Sequence, residues 1–165
     1  MSVVVPAYNE EDRLAGMLEE AVLFLEQAYG KGKKPPMNGH ADTAPPALLG
    51  WEILIVSDGS TDKTVDTALK FAHEHKLPEG SIRAIVLEQN RGKGGAVTHG
   101  MRHVRGQYAV FADADGASRF SDLKSMVEVC QRIEDPNGRA VAIGSRAHLV
   151  GSEAVVKVRQ SLHVA

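Results

Sequence analysis

An α/β fold, a mostly parallel sheet flanked by helices, is predicted by three observations. Short β-branched runs alternate with segments of helical period, the mark of repeated β-α units. The runs lack polar alternation, as expected of strands covered on both faces by helices. Every group of residues suited to chemistry follows directly on one of these runs, where parallel sheets place their ligand sites. With 165 residues, 43% of them apolar and 24% charged, the chain fits a single domain with a hydrophobic core, residues 1–165.

Five strands are expected: Ser2 to Val5, Glu52 to Val56, Ile82 to Leu87, Tyr108 to Ala112 and Ala140 to Ile143. Between the first two, Leu14, Leu18, Ala21, Val22 and Leu25 share one face of a first helix. Residues 30–50 hold Lys31-Gly32-Lys33-Lys34-Pro35-Pro36 and Ala44-Pro45-Pro46, a composition that predicts an irregular surface insert without chemistry. Val65, Ala68, Leu69 and Ala72 repeat the helical spacing in a second helix, with Ser60 placed to cap it. A third helix is expected from about Gly95 to Val104, opened by a glycine-rich turn. Asp122 falls in the first turn of a fourth, where a negative charge suits the helix dipole. Leu123, Met126, Val127 and Cys130 share a face of that helix, so the lone cysteine reads as a small core residue. The tail from Gly151 keeps helical periodicity at Val155, Val158 and Leu162 and then stops.

Charge and hydropathy exclude several classes of function. A formal net charge of -2 and a pI near 6.4 do not suit a general nucleic-acid binder. A single cysteine forbids an internal disulfide, which suits a reducing compartment. No apolar run reaches the roughly 18 residues needed to span a bilayer, so the chain by itself is expected to be soluble. Met1 leads straight into Ser2-Val3-Val4-Val5 without the regions of a signal peptide, as if a preceding segment had been trimmed.

The most informative group is Asp113-Ala114-Asp115-Gly116, two carboxylates at the end of a strand. Hard cations take oxygen ligands and keep positions open for phosphates, so this spacing suits a divalent metal holding a diphosphate; an acidic turn is the plainer reading. Pro6-Ala7-Tyr8-Asn9-Glu10-Glu11 follows the first strand. Tyr8 offers a ring to a nucleobase and Glu10 an acceptor, though acids at 10 and 11 also suit a first helical turn. Asp58-Gly59-Ser60 follows the second strand, with Asp58 another acceptor for an imide N–H or a ribose hydroxyl. Arg91-Gly92-Lys93-Gly94-Gly95 follows the third and joins two cations to glycines at a helix start, a place for anions, but its spacing is that of neither a Walker loop nor a dinucleotide fingerprint. His73 and His75 stand two apart, which does not put them on one helix face for zinc. Ser145 and His148 have no evident acid partner for a triad, and Trp51 and Phe24 read as packing residues.

In this order, Val3-Val4-Val5-Pro6-Ala7-Tyr8-Asn9-Glu10-Glu11, Val56-Ser57-Asp58-Gly59-Ser60, Asn90-Arg91-Gly92-Lys93-Gly94-Gly95-Ala96 and Asp113-Ala114-Asp115-Gly116 resemble family 2 glycosyltransferases of the GT-A fold. Within that family, Asp115-Gly116-Ala117 and Gly144-Ser145-Arg146-Ala147-His148-Leu149 look like the dolichyl-phosphate β-glucosyltransferase branch rather than the mannosyl one. Many relatives carry two acids where this chain has Ser57-Asp58, so only Asp58 is carried over, as a uridine contact.

The resemblance implies transfer of glucose from UDP-glucose to dolichyl phosphate with inversion, at the cytosolic face of the endoplasmic reticulum membrane, in the service of N-glycosylation. It implies Mg²⁺ or Mn²⁺ held by Asp115 and Asp113, the residues assigned to catalysis. Pro6, Tyr8, Glu10, Asp58, Arg91, Lys93 and Asp113 are assigned to substrate. It also implies an N-terminal membrane anchor and a C-terminal region completing the acceptor side, so a partial GT-A domain, attached to the membrane through segments outside it, is expected. The alternatives are a nucleotide-sugar-binding chain without turnover, a family 2 transferase for another sugar or acceptor, and a nucleotidyltransferase that makes a sugar nucleotide.

Overall fold

In the computed structural model, residues 1–30 and 50–144 are described. They fall into two units, Met1–Lys124 and the part of Ser125–Ala165 up to residue 144. Residues 31–49 of the expected insert and the tail from Ser145, with the Ser145 to Leu149 part of its motif, lie outside the described residues.

In the first unit the run Val3-Val4-Val5 is fully buried and forms the middle of β1 (Ser2–Ala7). β1 pairs in parallel with β2 (Glu52–Asp58), Ser2 beside Glu52 through Ala7 beside Ser57. On its other side it pairs with β4 (Ala109–Phe111), Val4 beside Phe111. β3 (Ile82–Leu87) pairs in parallel with β2, giving the order β3-β2-β1-β4. The chain steps outward from β1 to β3 and then returns to the far side of β1. Strand order therefore reverses between β1 and β4, and a crevice opens there at the carboxyl ends.

Four helices accompany the strands: α1 (Leu14–Tyr29), α2 (Thr64–Glu74), α3 (Gly92–Met101) and α4 (Asp122–Ile133). Parallel crossovers are right-handed, so α1 and α2, which contact each other, take one face of the sheet and α3, on the return path, takes the other. Val4, Leu54 and Val56 point to the α3 face and form a core with Leu87 and Ala96. Val3, Val5, Ile53 and Ile55, also fully buried, point the opposite way by strand alternation. α3 comes close enough to the sheet that a Cβ on Gly100 would overlap Val4 Cγ1 and stand 2.8 Å from Val56 Cγ2. The other end of the helix, at Gly92 and Lys93, lies at the cleft beside the carboxyl ends of the strands.

At the amino ends of the strands, far from the crevice, Glu52 is buried. Its carboxylate accepts from Ser2 Oγ (2.7 Å), Arg83 Nε (2.9 Å) and the Arg105 N–H (2.7 Å). This network ties β1, β2, β3 and the segment after α3 into one frame.

Several expectations need correction. Only the central strands are closed on both faces: Val86 and Phe111, on the outer strands, are exposed because no described element covers them. α3 begins at Gly92, three residues before the expected start, and ends at Met101. The buried face of α2 is Thr64, Ala68 and Phe71, and Leu69 is exposed. Ser60 does not cap α2. Its hydroxyl accepts the Asn9 N–H, and Asp62 Oδ1 takes the Thr64 N–H instead.

In the second unit, the carboxylate of Asp135 accepts the N–H groups of Asn137 and Arg139 and the Arg139 guanidinium, making a closed turn after α4. These hydrogen bonds, the Arg139 N–H foremost, hold its carboxyl below the usual range. The expected strand from Ala140 to Ile143 is not formed. Its apolar residues Val141 and Ile143 are 78% and 85% exposed, and a strand exists only where a neighbouring edge accepts its backbone hydrogen bonds.

Candidate functional site

The loops after all four strands meet around one cleft of about 340 Å³ at the reversal point beside β1. Pro6, Tyr8 and Glu10 line it from β1, Asp58 from β2, Asn90, Gly92 and Lys93 from the turn into α3, and Asp113, Ala114 and Asp115 from the segment after β4. The volume falls at the lower end of small-ligand sites.

One side of the cleft is aromatic and acidic. Tyr8 is 51% exposed, leaving its ring open to a planar partner. Glu10 is largely buried beside Arg13, whose Nη2 donates to Oε1 (2.8 Å) and lies 2.7 Å from Oε2. The second approach lacks hydrogen-bond alignment, so Oε2 is buried with a charge partner but no hydrogen bond. An acceptor in that state is suited to a ligand N–H or hydroxyl. Asp58, 3% exposed, accepts the Arg91 N–H at 2.7 Å. Gly59 follows in the left-handed region (φ 72°), and a Cβ there would stand 2.9 Å from the Asn90 nitrogen. A side chain at position 59 would therefore push the loop after β3 away from Asp58.

The other side carries a cation and two carboxylates. Lys93, in the first turn of α3, places Nζ 2.5 Å from Asp113 Oδ1 and 5.9 Å from the centre of the Phe111 ring. Asp115 Oδ1 accepts the Ala117 N–H (3.0 Å), closing a turn through Gly116, while Ala114 is buried and anchors the segment. The first turn of a helix leaves N–H groups without intrahelical partners, and here that turn borders the cleft. Among the described residues no group of three or more His, Cys, Asp and Glu is placed to hold a metal ion. The described lining of the cleft presents two carboxylates on this side, Asp113 and Asp115.

Of the sequence-predicted site residues, Pro6, Tyr8, Glu10, Asp58, Lys93, Asp113 and Asp115 are brought to one cleft. Arg91 is outside its lining: the side chain is exposed, and its backbone N–H pins Asp58. His75 stacks on Phe71 (3.9 Å between ring centres), with Nδ1 3.0 Å from the Phe71 carbonyl oxygen, at the end of α2. Sequence reasoning missed Asn90, which lines the cleft, and Asn9, Asp62 and Thr64, which join the loops behind it. Asp62-Lys63-Thr64 before an apolar run is a helix-start signal that was available.

Burial is the largest single influence on Asp62 and pushes its carboxyl up. The Thr64 hydroxyl and the N–H groups of Glu11 and Thr64 together outweigh it and hold the carboxyl below the usual range.

The family model described as glycosyl transferase family 2 matches residues 2–150. The chain is 45% identical to a dolichyl-phosphate beta-glucosyltransferase of Saccharomyces cerevisiae, across 95% of this chain and 44% of that protein. It is 39% identical to the human protein of the same name, across 90% of this chain and 41% of the relative. The chain thus spans less than half the length of these curated relatives. Among solved structures, the mannosyltransferase PcManGT from Pyrobaculum calidifontis, in complex with GDP-Man and Mn²⁺, superposes with a TM-score of 0.56 at 24% identity. That match covers 82% of this chain and 32% of the other, and it supports the shared α/β fold. With the motifs in order, their loops gathered at one reversal point and the family model matched over residues 2–150, the chain belongs to glycosyltransferase family 2 and has the α/β architecture of the GT-A fold.

Proposed function

We propose that the chain is the nucleotide-sugar-binding part of an inverting transferase that moves glucose from UDP-glucose to dolichyl phosphate. The observation that carries this reading is the convergence of Tyr8, Glu10, Asp58, Lys93, Asp113 and Asp115 on one cleft. The 45% identity to a protein named for that reaction supports the choice of sugar and acceptor.

In this reading the Tyr8 ring lies against uracil, and the free acceptor of Glu10, with Asp58, takes the imide N–H and ribose hydroxyls. Pro6 shapes the wall between them. Lys93 turns from Asp113 to the diphosphate, and the first-turn N–H groups of α3 add a second set of donors. Arg91 serves through its backbone, by holding Asp58. Asp113 and Asp115 form a hard-oxygen donor pair with no thiol or imidazole among the described residues lining the cleft, a set that fits Mg²⁺ or Mn²⁺, and these two carboxylates would hold it. Such a cation supplies neutralisation of charge on the departing UDP. An acceptor phosphate oxygen forms its bond to the anomeric carbon as the bond to UDP breaks, giving a β-linked product. The phosphate, with a second pKa of about 6, is largely ionised near neutral pH, so the chain need not supply a general base.

We place the reaction at the cytosolic face of the endoplasmic reticulum membrane, in N-glycosylation. This reading includes association with that membrane. No described helix is long and apolar enough to cross a membrane. A second reading is that the chain binds the nucleotide sugar in this cleft without turnover.

The test is incubation of the purified chain with glucose-labelled UDP-glucose, dolichyl phosphate in detergent and Mn²⁺. Labelled β-glucosyl phospholipid is the expected product. Binding of UDP-glucose without product selects the second reading, and no binding overturns both.

A further inference from the structure

Behind the cleft the loop after β1 is joined to the loop after β2 by hydrogen bonds between backbone and side chains. Three successive N–H groups of the first loop are taken by side chains of the second: Asn9 by Ser60 Oγ (3.1 Å), Glu10 by Thr64 Oγ1 (2.9 Å) and Glu11 by Asp62 Oδ2 (3.1 Å). The bonding is reciprocal. The Thr61 N–H donates to Asn9 Oδ1 (2.9 Å), and the Lys63 N–H to Glu11 Oε2 (2.8 Å). Thr64 links the two halves, since its fully buried hydroxyl accepts from Glu10 and donates to Asp62 Oδ1. Asn9 holds a left-handed backbone (φ 55°), a conformation asparagine tolerates better than most residues but still an uncommon one. Strain of that kind persists only where surrounding bonds over-determine it.

Neither Asn9 nor Asp62 lines the cleft, whereas their chain neighbours Tyr8 and Glu10 do, and so does Asp58, which precedes the second loop. We propose that Asn9 and Asp62 are positioning residues that weld these two loops and so hold Tyr8 and Glu10 at a fixed offset from Asp58, preorganising the nucleoside half of the cleft. The inference rests on the UDP-glucose reading above. None of the weld's hydrogen bonds involves Lys93, Asp113 or Asp115, the residues of the diphosphate half.

The two halves are separable by ligand. Calorimetric titration of UDP and, separately, of pyrophosphate, both with Mn²⁺, is made on the full chain and on three variants. Asn9→Gly suits the left-handed backbone but removes the Oδ1 acceptor, Asn9→Asp keeps the acceptor, and Asp62→Asn replaces one of the two accepting oxygens with a donor group. Asn9→Gly and Asp62→Asn are expected to weaken UDP about five- to tenfold, the scale of one or two hydrogen bonds lost to misplacement, and to leave pyrophosphate within about twofold. Asn9→Asp is expected to bind both as the parent does.

A merely structural role would weaken both ligands together, or neither, and either result overturns the proposal. If Asn9→Gly does not fold, as urea unfolding would report, Asp62→Asn makes the same comparison. A parent chain that binds pyrophosphate but not UDP overturns the underlying reading, a different failure from variants that bind UDP normally.

Discussion

Lys93 stands where two demands on one cation compete, and replacing it by methionine separates them. In the structure Nζ pairs with Asp113 Oδ1 at 2.5 Å, but the two side chains are 57% and 38% exposed. Solvent screening holds such a pair to under about 1 kcal/mol of stability, and methionine retains the apolar stem beside Phe111. The melting temperature should therefore fall by less than about 3 °C. A diphosphate in the cleft is a different partner, because a charge-assisted hydrogen bond contributes about 1.5 to 3 kcal/mol. At about 1.4 kcal/mol per factor of ten, Lys93→Met should weaken UDP binding by roughly 10- to 150-fold. The slope of affinity against salt should flatten as well, since a mobile charge has been removed. Calorimetric titration at two ionic strengths, beside thermal unfolding, reads all three quantities. UDP affinity within twofold of the parent would refute the assignment of Lys93 to the diphosphate. A large fall in melting temperature would show that the ion pair holds the fold rather than awaiting a ligand.

Three further predictions concern the frame that carries the cleft. Glu52→Ala removes a buried carboxylate from Arg83, Ser2 and the Arg105 N–H, and should cost about 3 to 5 kcal/mol in urea unfolding; a loss below about 1 kcal/mol would mean the network is incidental. Gly100→Ala drives a methyl into Val4 and Val56, so a loss of about 1 to 3 kcal/mol is expected despite alanine's better helix propensity, and a neutral result would place α3 farther from the sheet. Hydrogen bonds hold the folded pKa of Asp62 below its ordinary 3.8, so its contribution is complete above that pH and is lost as pH falls through the folded value. Acid unfolding followed below about pH 4 should accordingly be shallower in Asp62→Asn, and superimposable curves would contradict this.

Much of the fold was legible because Val3-Val4-Val5 and Ile53-Leu54-Ile55-Val56 are compact apolar runs of the kind closed strands carry, and Ile82 to Leu87 keeps enough β-branched and apolar residues to mark a strand although its outer face is open. β1 ran on through Pro6 and Ala7, which pair with Val56 and Ser57, and a proline in a central strand is no strand signal. Val141 and Ile143 carried the right composition, but strand formation depends on a partner edge that a single sequence does not display.

The start of α3 was hidden because glycines at 92, 94 and 95 read as a turn and have low helix propensity, while the contacts that seat the helix on the sheet lie farther along it, at Ala96 and Gly100. On α2, counting apolar residues selected Leu69 and passed over Thr64, which is buried for its hydroxyl rather than its hydrophobicity. The cleft residues were legible as strand-end motifs, since a parallel sheet gathers such ends whatever their separation in the chain. The weld between residues 9–11 and 60–64 was not, because side chains accepting backbone N–H groups across some fifty positions leave no periodic trace.

The central claim is that Asp113 and Asp115 grip a uridine-linked diphosphate through a shared divalent cation. Titrating UDP into the chain with and without Mn²⁺, and repeating both titrations on Asp115→Asn, tests it most directly. The account predicts that Mn²⁺ tightens UDP binding in the parent and that the gain disappears in the variant, whereas equal affinities with and without Mn²⁺ in the parent would contradict it.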